Sequence, residues 1–204
     1  MSEVATNGCW LLAGQVEHLD GYRAVLDDVV VAIGSLLPHD EAPIERSHAN
    51  VLVGSPGAVV PVHFDRHHNF LLQVEGTKRV TVAADDDPTV VRELDHCFDA
   101  DENPRALPLH TEAFELGPGD GLYLPPYLFH WVEGEADVSV AVSCEIRTAR
   151  SERTALAHEC NARLRRLHLH PRPPGRSELN DRTKAAAMRV WRQARHRLQR
   201  LTHR

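Results

Sequence analysis

His63 and Asp65 stand two positions apart in V-V-P-V-H-F-D-R-H-H-N-F-L-L-Q-V-E-G-T-K-R-V-T-V, residues 59 to 82, and are the side chains best suited to hold a metal ion. The segment alternates β-branched and aromatic residues, so on a strand both side chains leave the same face. An imidazole and a carboxylate suit a borderline divalent metal. One further histidine from another strand would complete a 2-His-1-carboxylate triad, which leaves positions open for substrate and oxygen. His130, in Y-L-P-P-Y-L-F-H-W-V-E-G, is the best candidate. An isolated H-x-D is more often a hydrogen-bonded pair in a core; here the surrounding residues add weight to the metal.

Asn69 to Val74 and Thr77 to Val82 read as two short strands of a hairpin, joined by the Glu75-Gly76 turn. Lys78 then shares a face with Val80 and Val82 and looks toward the apolar interior, while Arg79 looks outward with Thr77 and Thr81. An ammonium in that place requires an anion, either a carboxylate neighbour or an anionic ligand.

The run H-F-D-x-x-x-N-F-x-x-Q-x-x-G-x-K-R, followed by P-G-D-G-L-Y-L-P-P-Y-x-x-H-W-V, resembles the JmjC-type cupin-fold Fe(II)/2-oxoglutarate oxygenases. It is most similar to small bacterial cupin-like members of the branch that includes the asparaginyl hydroxylase of hypoxia-inducible factor. The match covers roughly residues 48 to 147. The resemblance implies that His63, Asp65 and His130 bind Fe(II), that Lys78 pairs with the distal carboxylate of 2-oxoglutarate, and that Asn69 lies beside the co-substrate. Two positions depart from the family pattern. Val60 stands where a threonine often offers a hydroxyl to the oxoglutarate site, and Ser143 stands where an asparagine is common. The implied reaction uses 2-oxoglutarate and O2 to hydroxylate an unactivated carbon of a free or carrier-bound amino acid, a peptide or a protein, leaving succinate and CO2. Two other readings stay open: a metal- or ligand-binding cupin that regulates through its basic tail, and a metal-dependent cupin enzyme that uses no 2-oxo acid.

These residues need a scaffold of short strands. Ala49 to Gly54 reads as a first core strand after a loop from Pro38 to Ser47, Phe114 to Leu116 and Leu122 to Pro125 flank the G-P-G-D-G turn, and Phe129 to Val132 carries His130. Asp137 to Ile146 puts Ser139, Ala141 and Ser143 on one side, where small residues leave room for a ligand. The pattern predicts a mainly β fold, a double-stranded β-helix of jelly-roll or cupin type with an N-terminal helix and C-terminal helices. Residues 17 to 37 have helical apolar spacing, with Asp20 as a candidate cap, and this helix is expected to cover one sheet. Asp85 to Thr111 is an acidic, proline-bearing insertion without a core strand, with a short apolar-periodic piece around Val90, Val91 and Leu94; in such barrels an insertion of this kind tends to lie near the mouth, where loops bind substrate, although most acidic loops are simply solvated.

The expected division is a barrel domain over 1–148 and a basic helical extension over 149–204. The extension carries 15 Lys and Arg against 4 Asp and Glu, leaving 8 against 25 in the remainder. Its helices, over 151–168 and 179–200, have too little apolar surface to stand alone; they are expected to pack on the barrel or a second copy, making a homodimer. Nucleic acid is not favoured, because aromatic interleaving and a binding motif are absent. No apolar run is long enough to span a membrane, and Met1 to Leu12 lacks the features of a signal peptide, so the expected location is the cytoplasm. Four scattered cysteines give no disulfide framework. At most one of His67 and His68 can face the metal pocket, and His96, His110, His158, His168, His170, His196 and His203 are expected at the surface.

Overall fold

The structure, a computed structural model, describes residues 8–38, 41, 43–84, 88–100 and 102–202. The strands are β1 (Trp10–Ala13), β2 (Ile44–Gly54), β3 (Val59–His63), β4 (His68–Glu75), β5 (Lys78–Ala83), β6 (Thr111–Leu116), β7 (Gly121–Leu124), β8 (His130–Gly134) and β9 (Ser139–Thr148). The α-helices are α1 (Tyr22–Gly34), α2 (Pro88–Ala100), α3 (Ala149–Arg166) and α4 (Glu178–Thr202). Antiparallel pairing gives a five-stranded sheet, in the order β1-β2-β9-β4-β7, and a four-stranded sheet, in the order β3-β8-β5-β6. Leu71, Leu124 and Ala141 from the first meet Val80, Val82 and Leu116 from the second, forming the apolar layer of a jelly roll.

The outer face of the larger sheet is covered by α1, whose Leu26 and Ile33 pack on Ala49, Phe70, Cys144 and Ile146. The helix starts one residue later than a cap at Asp20 would place it. Its cap is Gly21, at φ 87 and without a side-chain hydrogen bond, and Asp20 does not serve. Residues 16–18 instead form a short 3-10 turn that Glu17 fastens to β2, accepting from the Ala49 N–H at 3.0 Å and meeting His48 Nδ1 at 2.9 Å. Residues 44–47, expected in a loop, extend β2 by pairing with the end of β9. Residues 88–100, in which a short apolar-periodic piece is expected around Val90, Val91 and Leu94, form α2.

The expected hairpin at Glu75-Gly76 is not one. Strand β4 pairs with β7 and β9, whereas β5 pairs with β6 and β8, so the turn is a corner that carries the chain from one sheet to the other. Local alternation around a Gly turn is the same in both arrangements; what differs is which distant strands occupy the flanks. At the corner the Gln73 amide donates to the carbonyls of Glu75 and Gly76, at 2.7 and 3.0 Å, supplying partners that a hairpin ladder would have provided. Gly76 has φ 67, and a Cβ there would lie 2.2 Å from the Val138 carbonyl oxygen. Gly76→Ala is therefore expected to lower unfolding stability by more than about 2 kcal/mol, combining left-handed strain with a backbone clash. Urea denaturation checks it, and an unchanged midpoint would mean that the corner relaxes freely.

Helix α3 begins without a break after β9. The Thr148 hydroxyl accepts from the Ser151 N–H while the Ser151 hydroxyl accepts from the Thr148 N–H, a reciprocal cap that turns strand into helix within one residue. Leu156 of α3 packs on Ala185 and Met188 of α4, and Arg165 bridges to Asp95 and Asp99 of α2. Each helix thus finds burial within the same chain. Leu201 lies outside the residues whose side chains are described, and His203 outside the described residues altogether. Among the described residues no helix is long and apolar enough to cross a membrane.

Candidate active site

Between the sheets lies a cavity of about 440 Å³ whose lining includes His63, Asp65, Asn69, Lys78, His130 and Ser143. All six residues picked from the sequence are brought together. His63 ends β3 and His130 opens β8, where they are directly opposed partners in the ladder, with ring centroids 4.2 Å apart. Asp65 is not on the strand as expected. It sits two residues past the end of β3, in a loop that keeps it on the same side.

That loop is held from several directions. Phe64 stacks on Phe129, with centroids 5.3 Å apart and planes 10° from parallel. The Tyr127 N–H donates to the Asp65 carbonyl at 2.8 Å, from a turn in which Tyr127 adopts φ 68. Such strain in a non-glycine residue persists only where the surroundings impose it. His67 and His68 both turn away from the cavity: His67 Nδ1 meets the Ser151 hydroxyl at 3.0 Å, and His68 Nδ1 meets the Tyr123 hydroxyl at 2.8 Å. They anchor the loop and the start of β4.

Each cavity histidine places Nδ1 against a backbone carbonyl, His63 on Pro61 at 2.8 Å and His130 on Leu128 at 2.9 Å. A carbonyl can only accept, so Nδ1 carries a hydrogen, and in the neutral ring Nε2 is left with its lone pair. This is how proteins orient a metal-binding imidazole. Burial, with the neighbouring His63 adding to it, holds His130 below the usual histidine range, which favours the neutral form that coordination requires.

The carboxylate is oriented by a relay. Asp65 Oδ2 accepts from the Asn69 amide at 2.7 Å, and the Asn69 carbonyl oxygen accepts from the Ser143 hydroxyl at 2.8 Å. Asn69 and Ser143, expected beside a co-substrate, here support the acid from β4 and β9. Asp65 Oδ2 stands 4.0 Å from His130 Nε2. Two cis ligands about 2.1 Å from one ion are separated by about 3 Å, so the three groups are near one another without forming a closed cage. Correspondingly, no cluster of three His, Cys, Asp or Glu is closed enough among the described residues to count as a preformed metal site. The donor set itself, two imidazoles presenting Nε2 and a carboxylate on one wall of a cavity, fits a divalent ion with open positions.

Lys78 opens β5 with its side chain inward, and only 5% of the residue is exposed. Burial pushes its ammonium down to about 8. Among the described residues no carboxylate pairs with it, so the positive charge is available to an anion entering the cavity.

The sequence reading missed part of the wall. Trp10 and Leu12 of β1 line the cavity, as do Asn50 and Asn103. Asn50 shares strand parity with Leu52 and was there to be read, but β1 is a four-residue edge strand without alternation. His158 is also misplaced by sequence: it is 7% exposed, stacked on Phe98 at 4.6 Å, and burial lowers it to about 4.

Residues 14–144 match the model of the cupin-like domain. The chain belongs to that family. The Jumonji C domain-containing protein 5 of Drosophila melanogaster is 36% identical over 96 residues, which cover 41% of this chain and 24% of that protein. The lysine-specific demethylase JMJ30 of Arabidopsis thaliana is 32% identical over 111 residues, 48% of this chain and 26% of that protein. The matched part thus spans about a quarter of the length of these relatives. Among solved structures, a cupin superfamily protein of Desulfitobacterium hafniense is 13% identical, covering 56% of this chain and 87% of that one at a TM-score of 0.35. That likeness is too distant to bear on the site.

Proposed function

We propose that this cupin-like chain is an Fe(II)- and 2-oxoglutarate-dependent oxygenase that hydroxylates an amino-acid, peptide or protein side chain. The observation that carries the reading is the pairing, in one cavity, of two Nε2-presenting histidines beside Asp65 with a buried lysine that has no carboxylate partner among the described residues. A generic metal cupin has use for the first and none for the second.

His63, Asp65 and His130 would hold the metal. When bound together, Fe(II), 2-oxoglutarate and O2 supply the oxidising chemistry that turns an unactivated C–H into C–OH, with succinate and CO2 as co-products. The chain's own residues do the positioning. Lys78 anchors the distal carboxylate of the co-substrate through a charge-assisted hydrogen bond. Asn69 and Ser143 fix the Asp65 carboxylate and so decide which of its oxygens faces the ion. Val60 adds no hydroxyl, so the co-substrate rests more heavily on Lys78. Leu52, Leu71, Leu124 and Val132 add apolar surface to the wall.

The purified chain with Fe(II), 2-oxoglutarate, O2 and ascorbate, which reduces the second oxygen atom to water, is expected to form succinate slowly even without its substrate, followed by proton NMR. Absence of succinate together with absence of 2-oxoglutarate binding to the metal-loaded chain would leave a metal cupin that uses no 2-oxo acid.

A further inference from the structure

Four arginines of the C-terminal helices converge on one hollow, separate from the central cavity. Bounded by α3, α4 and the loop after β3, it has a volume of about 590 Å³ and is lined by Arg66, Arg163, Arg166, Arg192 and Arg195, with Glu159 its one acidic residue among the described residues. Arg192, Arg195 and His196 follow helical spacing on one face of α4, and Arg163 and Arg166 lie one turn apart on α3. Glu159 is already engaged by Arg192 and lies 3.5 Å from Arg66.

Among the described residues no carboxylate pairs with Arg163, Arg166 or Arg195. The Arg163 guanidinium lies 3.5 Å from the centroid of the Trp191 ring, its Nε buried without a hydrogen-bond partner. Arg195 lies 5.4 Å from the same centroid, and Arg166 donates to the Asp99 carbonyl at 2.7 Å. Arg192 also lies 3.7 Å from Glu152, so the guanidinium groups left to an incoming anion are those of Arg163, Arg166 and Arg195, which in a concave wall focus a positive potential. Guanidinium forks match carboxylate geometry.

The surroundings distinguish between anions. Arg66 also lines two smaller hollows, one reaching Asn103 and the other reaching Asp65 past Glu145 and Glu152. Asn103 and Asp65 line the central cavity in turn. The hollow on α4 thus shares Arg66 with these depressions, and they share Asn103 and Asp65 with the wall of the central cavity, an arrangement suited to an extended chain rather than a compact ion. A nucleic-acid strand carries a charge at every phosphate and would meet Glu145, Glu152 and Glu159 in succession. It would also find the Trp191 ring already occupied by arginine rather than free for a base. A polypeptide can place carboxylates at one end and none at the other.

We propose that the hollow between α3 and α4 docks an acidic segment of a polypeptide, its carboxylates pairing with Arg163, Arg166 and Arg195. The docking stands without the metal site; only the continuation of the bound chain into the central cavity rests on the oxygenase reading. The test uses the full-length chain without metal, and a fluorescein-labelled hexaglutamate peptide followed by anisotropy in about 0.1 M salt, where charges beyond about 10 Å are screened. Saturable binding is expected, weakened about tenfold by the double change Arg166→Glu with Arg195→Glu. Arg189→Glu with Arg197→Glu, the same charge change at exposed positions outside the hollow, is expected to cost less than about twofold. The proposal is overturned by absent binding, by equal losses in the two double variants, by free citrate competing as well as the peptide, or by tighter binding of a labelled single-stranded oligonucleotide.

Discussion

Asp65→Ala is expected to weaken Fe(II) binding by more than about a hundredfold and to abolish succinate formation. Loss of an outer-shell partner alone commonly costs ten- to a hundredfold in metal affinity, and Asp65 is the carboxylate that stands 4.0 Å from His130 Nε2. The change also strands the Asn69 amide, which now donates to Asp65 at 2.7 Å, at a cost of about 1 to 3 kcal/mol in folding stability. Anaerobic titration of Fe(II) in the presence of 2-oxoglutarate, watching metal-to-ligand charge-transfer absorbance, measures the first effect, and thermal denaturation shows that the variant remains folded. Unaltered Fe(II) affinity in a folded Asp65→Ala chain would sink the assignment of the triad.

Lys78→Met is expected to leave Fe(II) binding nearly intact and to weaken 2-oxoglutarate by about one to two powers of ten, the worth of a hydrogen bond to a charged group. Stability should move the other way. Burial lowers the ammonium from 10.5 to about 8, so keeping it charged costs the ligand-free chain roughly 3 kcal/mol. The sign follows from proton counts. Below about pH 8 the lysine is protonated folded and unfolded, and the cost is fully present. Between about 8 and 10.5 the folded chain has shed the proton while the unfolded chain still holds it, so stability rises with pH. Lys78→Met should be the more stable protein at pH 7 and lack this rise. Affinity for 2-oxoglutarate in the unsubstituted chain should be level below about pH 8 and fall above it, whereas Lys78→Met should show no such fall. Equal affinities across that range in both proteins would place the anchor elsewhere.

The candidate site was more legible than the scaffold, for a physical reason. Which face a side chain takes depends on parity along its own strand, and parity survives whatever partner the strand finds. Lys78 points inward in a four-stranded sheet as it would have done in the expected hairpin with β4. His130 could be chosen because L-P-P-Y-L-F-H sets a turn before a short apolar strand. Pairing partners, by contrast, are decided by distant segments, so the corner at Gly76 was read as a hairpin. The same holds for His158, whose burial is created by Phe98 of α2 and Tyr127 of the turn before β8, neither of them its neighbour in sequence. Asn69 and Ser143 were found as residues but not as a relay, since a hydrogen bond between β4 and β9 has no local signature.

The corner at Gly76 also governs how the site is assembled during folding. Because it moves the chain from one sheet to the other, Asn69 and Lys78 are close in sequence yet anchored to opposite walls of the barrel. His63 meets His130 only when β3 has found β8, and Ser143 meets Asn69 only when β9 has found β4. Every one of these pairings closes a long loop, the slowest kind of step in folding. A chain with either sheet incomplete therefore has no partial site to offer, and metal or co-substrate selects only the fully closed barrel. Ligand binding energy is in this way distributed over both sheets as cooperativity, tying the unfolding of one wall to that of the other.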